Sequence, residues 1–163
     1  MKKTKKVLAL LLAFVMAIFV LASCATSGNV AENGTATIVI ENGENNYTEY
    51  EVDLSKLEKR DEGALSLLEY IASLENSTLY YNATWGGGYG AYITQIGSLS
   101  PNPTNQYIAV YTSEEKDFAV PSEWSPTVAT VSYKSMTLTF SGVGISSMNV
   151  KDGTVILFRV EGF

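Results

Sequence analysis

Histidine is absent from this 163-residue chain, and cysteine occurs once, as Cys24. The missing imidazole excludes Ser-His-Asp and Cys-His catalysis and histidine-ligated zinc sites. It also removes the usual general base near neutral pH, so an enzyme would depend on carboxylates, tyrosines or lysines. The sequence shows no paired-carboxylate motif for such a mechanism. We therefore predict a non-catalytic protein with no cofactor and no metal site.

Basic residues are scarce beyond the N-terminal tip. Seven basic and 17 acidic residues follow Cys24, which gives that part of the chain a formal charge of −10. Nucleic acid and anionic lipid surfaces would repel such a chain. We therefore expect no nucleic-acid partner, and we interpret the surplus of acidic residues as a feature of a soluble surface.

The first 23 residues have the layout of a secretory signal. Four lysines lie within the first six residues, and an uninterrupted apolar run of 16 residues fills positions 7–22. A spanning helix needs roughly 20 apolar residues, so a cleaved signal is favoured over a permanent anchor. Leu-Ala-Ser-Cys at 21–24 resembles the lipobox of bacterial lipoproteins. That resemblance implies cleavage before Cys24, its acylation, and a place on the extracytoplasmic face of the cell membrane.

Composition divides the chain into three parts. We assign residues 1–23 to the signal peptide, 24–34 to a lipidated flexible tether, and 35–163 to one folded domain. The tether is small and polar, as flexible linkers are. The domain has a length that supports one ordinary hydrophobic core.

Hydrophobic patterning predicts many strands and one helix. A β-branched run at 37–40 and an alternating run at 47–52 flank Asn42-Gly43, a strong hairpin dipeptide. A helical stripe follows at Ala64, Leu67, Leu68, Ile71 and Leu74, and the chain after Ser77 reads as short strands. We predict an α+β domain with a β-grasp-like mixed sheet and one packed helix. An all-β sandwich with one stray helix is the alternative.

A glycine-rich segment between aromatic residues is the candidate binding site. Glycines let a ligand approach the backbone, and aromatic rings offer flat apolar contact. The alternative is a hairpin whose aromatic side chains fill the core. The segment also matches G-x-G-x-x-A formally, but a strand follows it where a nucleotide site needs a helix. The predicted ligand-contacting residues are Trp85, Gly87, Gly88, Tyr89 and Tyr92.

An acidic turn is a weaker candidate for a metal site. Glu114, Glu115 and Asp117 offer the oxygen ligands that calcium prefers. Their spacing differs from that of a calcium loop, and Lys116 lies among them. We interpret the segment as a solvated turn.

Three segments carry a family resemblance over residues 35–160. They are Asp-Glu-Gly-Ala-Leu-Ser-Leu-Leu at 61–68, Gly-Ala-Tyr-Ile-Thr-Gln-Ile-Gly at 90–97, and Gly144-Ile145 followed by Val-Lys-Asp-Gly-Thr-Val-Ile-Leu-Phe at 150–158. The pattern resembles the bacterial domain of unassigned function that is related to the C-terminal β-domain of transcobalamin and intrinsic factor. The resemblance implies a β-grasp that binds a soluble ligand. In the vitamin carriers this domain covers one face of cobalamin.

Three functions are compatible with these observations. The first is a membrane-anchored lipoprotein whose domain binds a small molecule, a corrinoid-like compound included. The second is an adhesion or assembly module that presents a sheet edge or an aromatic loop to another surface protein. A carboxylate-dependent hydrolase is the third and weakest reading.

Overall fold

The structure is a computed structural model that describes residues 30–123 and 125–163. The predicted signal peptide, Cys24 and the first part of the predicted tether lie outside the described residues. The described part of that tether begins at Val30, which is buried and forms a β-bridge with Val150. No helix within the described residues has the length and apolar character needed to span a membrane.

Six strands form one mixed sheet. They are β1 (Thr35–Gly43), β2 (Asn46–Asp53), β5 (Gln106–Thr112), β6 (Thr130–Tyr133), β7 (Met136–Phe140) and β8 (Val155–Gly162). The order of the sheet is β2-β1-β8-β5-β7-β6, with β1 and β8 parallel and the other neighbouring pairs antiparallel. The predicted hairpin around Asn42-Gly43 is present and joins the first two strands.

A separate hairpin and one helix cover one face of this sheet. The hairpin consists of β3 (Tyr81–Trp85) and β4 (Ala91–Ile96), and the helix α1 spans Leu65–Ser73. Short 3₁₀ turns lie at Leu54–Lys56, Gly87–Tyr89, Glu115–Asp117 and Ile145–Ser147. Leu67, Leu68 and Ile71 are buried on the helix, as expected for a helix too short to be stable alone.

Both faces of the central strands are buried. On β8, Ile156 and Phe158 belong to the core beneath α1 and the β3–β4 hairpin, whereas Val155 and Leu157 belong to a second core on the opposite face. Because successive side chains of a strand alternate between faces, a continuous apolar run is needed where both faces are covered. The run at 155–158 meets this need.

The second core lies inside the curl of the sheet. Tyr47 on β2 and Tyr133 on β6 meet edge to face with ring centroids 5.3 Å apart, although β2 and β6 are the two outermost strands. The Lys134 Nζ lies 2.8 Å from the Glu49 Oε2 across the same gap. The sheet is therefore a curled half-barrel whose outer strands approach each other through side chains.

The predicted fold class is wrong. Strands make up 43% of the structure and helices 15%, so the protein is a β-rich half-barrel rather than an α+β β-grasp with a packed helix. The prediction took one amphipathic stripe as evidence that a helical layer covers the sheet. In the structure that stripe is a nine-residue helix, and the sheet buries its other face within its own curl.

Candidate functional site

A cavity of about 420 Å³ opens between β4 and β5. The chain that follows β7 closes one end of it. Most of its lining is apolar, with three tyrosines and one serine as the polar side chains. The lining residues are Tyr89, Ala91, Tyr92, Ile93, Tyr107, Ile108, Val110, Phe140, Ser141, Gly142, Val143, Gly144 and Ile145.

The floor and the rim of the cavity differ in exposure. Ile93 and Ile108 are buried and belong to the core beneath the hairpin. Tyr89 and Tyr92 are 65% and 46% exposed, so they form the solvent side of the cavity. An incoming molecule would meet aromatic rings first and aliphatic side chains further in.

Gly144 fastens the cavity wall to the hairpin. Its N–H donates a hydrogen bond of 2.7 Å to the Tyr89 carbonyl, and a Cβ at this position would lie 2.6 Å from the same oxygen. The Ser146 hydroxyl accepts a hydrogen bond of 2.9 Å from the Ala91 N–H. These contacts hold the backbone of Tyr89 at the rim, and they require glycine at position 144.

Ser141 fastens the same wall to β5. Its N–H donates to the Val110 carbonyl at 2.8 Å. Its hydroxyl lies 2.8 Å from the Val143 carbonyl, to which it donates. Gly142 packs so closely that a Cβ would lie 2.8 Å from the Ala119 Cα. The polar atoms of this turn are thus engaged with backbone groups.

The hydroxyl of Tyr107 is also engaged, on the other face of β5. The Glu161 carboxylate accepts hydrogen bonds from Tyr111 at 2.6 Å and from Tyr107 at 3.3 Å. Burial raises the pKa of both tyrosines, and the nearby carboxylate raises it further. Arg159 lies 3.4 Å from Glu161 and 3.3 Å from Glu41, so it forms ion pairs with both carboxylates.

The structure brings together two of the five predicted ligand-contacting residues. Tyr89 and Tyr92 line the cavity. Trp85 is 61% exposed and lies outside the lining, Gly88 faces open space, and Gly87 begins the 3₁₀ turn at Gly87–Tyr89. The exposure of these aromatic side chains argues against the alternative in which they fill the core.

Sequence reasoning missed the walls formed by β5 and by residues 140–145. These residues come from distant parts of the chain and carry no chemical motif. The one signal was the presence of Gly142 and Gly144, because glycine is the usual residue where two stretches of backbone approach closely.

The acidic turn is a structural element. Asp117 is buried and accepts hydrogen bonds from the Asn149 N–H at 2.7 Å and from its side-chain amide at 2.6 Å. Burial raises the pKa of Asp117 although these bonds oppose the shift. The Glu114 Oε2 lies 2.7 Å from the Lys151 Nζ, and this bond raises the pKa of Lys151. In the described part of the chain, no three histidine, cysteine or acidic side chains come together to hold a metal ion.

No protein-family model matches the chain, and no curated protein matches it. The chain is similar to a solved structure from Ruminococcus gnavus, described in print as a "putative metal binding protein". The two chains share 12% identity with a TM-score of 0.49, over 80% of this chain and 98% of the other.

Proposed function

We propose that this protein is a lipid-anchored lipoprotein of the extracytoplasmic membrane face, whose domain binds a small ligand without catalysis. The cavity between β4 and β5 is the observation that supports this function. Its volume of about 420 Å³ falls within the range of roughly 300–1,000 Å³ that is typical of small-molecule sites.

The lining favours a ligand that is uncharged where it enters the cavity. None of the described residues around it is lysine, arginine, aspartate or glutamate. A charged group would lose its hydration there without gaining an ionic partner. The Tyr89 and Tyr92 rings offer stacking area at the rim, and their hydroxyls can orient a polar edge of the ligand.

Acylation of Cys24 would place this cavity close to the membrane. A short flexible tether behaves as a coil with an end-to-end distance of about 5–6 Å × √n, so the domain would stand off by a couple of nanometres at most. The chain has no histidine and no second cysteine. A corrinoid bound here would therefore be held by packing and hydrogen bonds, and its visible spectrum would show no new histidine or thiolate ligand.

Titration calorimetry with cobalamin and a panel of small aromatic compounds tests the function. We expect Tyr92→Ala to weaken binding at least tenfold, because the ring lines the mouth of the cavity. Trp85→Ala is the matched control, since Trp85 is also an exposed aromatic residue of the same hairpin but lies outside the lining. Absence of binding by the wild type at millimolar ligand would contradict the proposal for this panel.

An assembly module is the second candidate. Tyr80 and Trp85 are 52% and 61% exposed and lie outside the cavity, where they could contact another surface protein. Loss of small-molecule binding in Trp85→Ala with full binding in Tyr92→Ala would move the small-ligand site to this exposed surface. The second function is favoured instead if the wild type binds none of the small compounds.

A further inference from the structure

One edge of β5 is open where it borders the cavity. In an antiparallel strand, the N–H and C=O of one residue point to the same side, and successive residues alternate. Asn105 accepts from the Phe163 N–H at 3.1 Å, and Ser113 donates to the Val155 carbonyl at 3.0 Å, so the odd-numbered residues face β8. Ile108 therefore faces the opposite side, where β7 pairs only with Tyr111 and Thr112 in the described chain.

One edge of β4 is open towards the same cavity. The Gly86 N–H donates to the Gly90 carbonyl at 3.5 Å, so Gly90 and the alternate residue Tyr92 face β3. Ala91 and Ile93 consequently face away from β3, in agreement with the bond from the Ala91 N–H to Ser146. Within the described residues, β3 is the only strand whose ladder includes β4, and no ladder joins β4 to β5.

The chain itself shows what these two edges bind. Ser141 donates to the Val110 carbonyl on β5 at 2.8 Å. Gly144 donates to the Tyr89 carbonyl, in the turn just before β4, at 2.7 Å, and the Ser146 hydroxyl accepts from the Ala91 N–H on β4 at 2.9 Å. One irregular segment, residues 141–146, thus bonds to the β5 edge through its main chain and to the β4 edge through the Ser146 hydroxyl, at one end of the cavity. Beyond its last bonds, the edges continue along β4 and β5 to Ile93 and Ile108, and the cavity lies between them.

We propose that the ligand of this cavity is an extended peptide segment, whose main chain hydrogen-bonds to the open edges at Ile93 and Ile108. This inference rests on the proposed function and names its ligand class. Ile93 and Ile108 are only 5% and 8% exposed, and buried backbone groups require hydrogen-bond partners. A peptide strand supplies alternating donors and acceptors at the spacing that a strand edge needs, whereas a flat aromatic ligand does not.

Charge further defines the peptide. Its central residues are uncharged and small or β-branched, because the cavity has an apolar lining and a limited volume. Its flanking residues are basic, because the chain after Cys24 has a formal charge of −10 and attracts cations from solution.

The experiment uses the full chain in detergent micelles and a defined peptide pool. The pool is acetyl-Lys-Val-X-Val-Lys-amide, in which X is alanine, serine or threonine, and the control pool carries an N-methyl group on the amide of X. We expect calorimetry to detect binding of the first pool. We expect N-methylation to weaken it at least about tenfold, because it removes a main-chain donor and leaves the side chains unchanged. Hydrogen exchange should slow at residues 91–96 and 106–112 when the first pool binds.

A pair of valine variants locates the site. Val143 lines the cavity, so Val143→Trp should fill it and abolish peptide binding, whereas Val120→Trp should bind normally because Val120 is 82% exposed and outside the lining.

Equal binding of both peptide pools would overturn main-chain recognition, and that comparison depends on no variant. If the small-compound panel binds and the peptides do not, the peptide inference fails and the proposed function stands. If neither binds, both fail.

Discussion

At the scale of single residues, two glycines near the cavity have opposite surroundings. Gly144 has φ −71°, a value that any residue can adopt, so its requirement comes from close contact rather than from backbone conformation. A Cβ there would lie within 2.7 Å of the Ala91 carbonyl oxygen as well as that of Tyr89. Gly88 has no neighbouring atom within 4 Å of an added Cβ.

Gly144→Ala should therefore destabilise the protein and Gly88→Ala should not. Both contacts at position 144 are to backbone atoms that cannot rotate away, and overpacking of this kind costs about 1–3 kcal/mol. Gly88→Ala, at an open surface position, should stay within about 0.5 kcal/mol of wild type. Urea unfolding of the three proteins measures this difference. Equal unfolding midpoints for the two variants would show that the close contact between residue 144 and the hairpin backbone is absent in solution.

At the scale of elements, helix α1 stabilises the fold through one buried stripe. Leu68 is fully buried in the core shared with β8 and the β3–β4 hairpin. We expect Leu68→Ala to lower the free energy of unfolding by roughly 2–5 kcal/mol, the cost of a large-to-small change in a packed core. Leu74, at the end of the helix and 48% exposed, is the matched control, and Leu74→Ala should cost about 0.5 kcal/mol or less. Thermal melts of the chain from Ala25 onward decide this, and a loss below about 0.5 kcal/mol for Leu68→Ala would mean that the helix is not core-packed.

Local elements could be predicted from the sequence, and their assembly could not. The hairpin at Asn42-Gly43 and the helix at 65–73 depend on neighbouring residues, so dipeptide and stripe patterns indicate them. The curl of the sheet depends on a contact between Tyr47 and Tyr133, which lie far apart in sequence. No local pattern predicts that meeting, and the predicted class was therefore wrong.

The candidate site likewise has a part that local sequence patterns predict and a part that depends on how distant segments assemble. Tyr89 and Tyr92 could be named as candidates, because glycines let a ligand approach the backbone and aromatic rings offer flat apolar contact. Whether these rings fill the core could not be predicted, and only the structure shows that they are exposed. The opposite wall at Ile108 could not, because an apolar residue in a strand has the same pattern whether its backbone edge is paired or open. That edge is open because β7 pairs with β5 only at Tyr111 and Thr112 and does not extend along the strand to Ile108.

At the scale of the whole molecule, the proposed lipid anchor can be tested independently of the folded domain. If Cys24 is the acylated residue, Cys24→Ala should abolish incorporation of a fatty-acid analogue and leave an unprocessed or shed protein. Metabolic labelling followed by membrane fractionation measures both effects. Equal label in wild type and variant would contradict the lipoprotein assignment, while the fold and the cavity would be unaffected.

The curl of the half-barrel also affects whether copies of this protein can associate through the edges of their sheets. Outermost strands are the usual starting points for self-association, because their unpaired backbone groups can recruit a second copy. Here the two outermost strands turn towards each other, and Lys134 stands between them at 2.8 Å from Glu49. A neighbouring molecule would have to displace a charged side chain and an aromatic pair before it could add to either strand. The open edges at Ile93 and Ile108 are recessed inside a cavity of about 420 Å³, too small to admit another folded sheet. The outermost strands of the six-stranded sheet are thus protected from pairing with a second copy, and the space beside β5 has room for no more than a narrow segment.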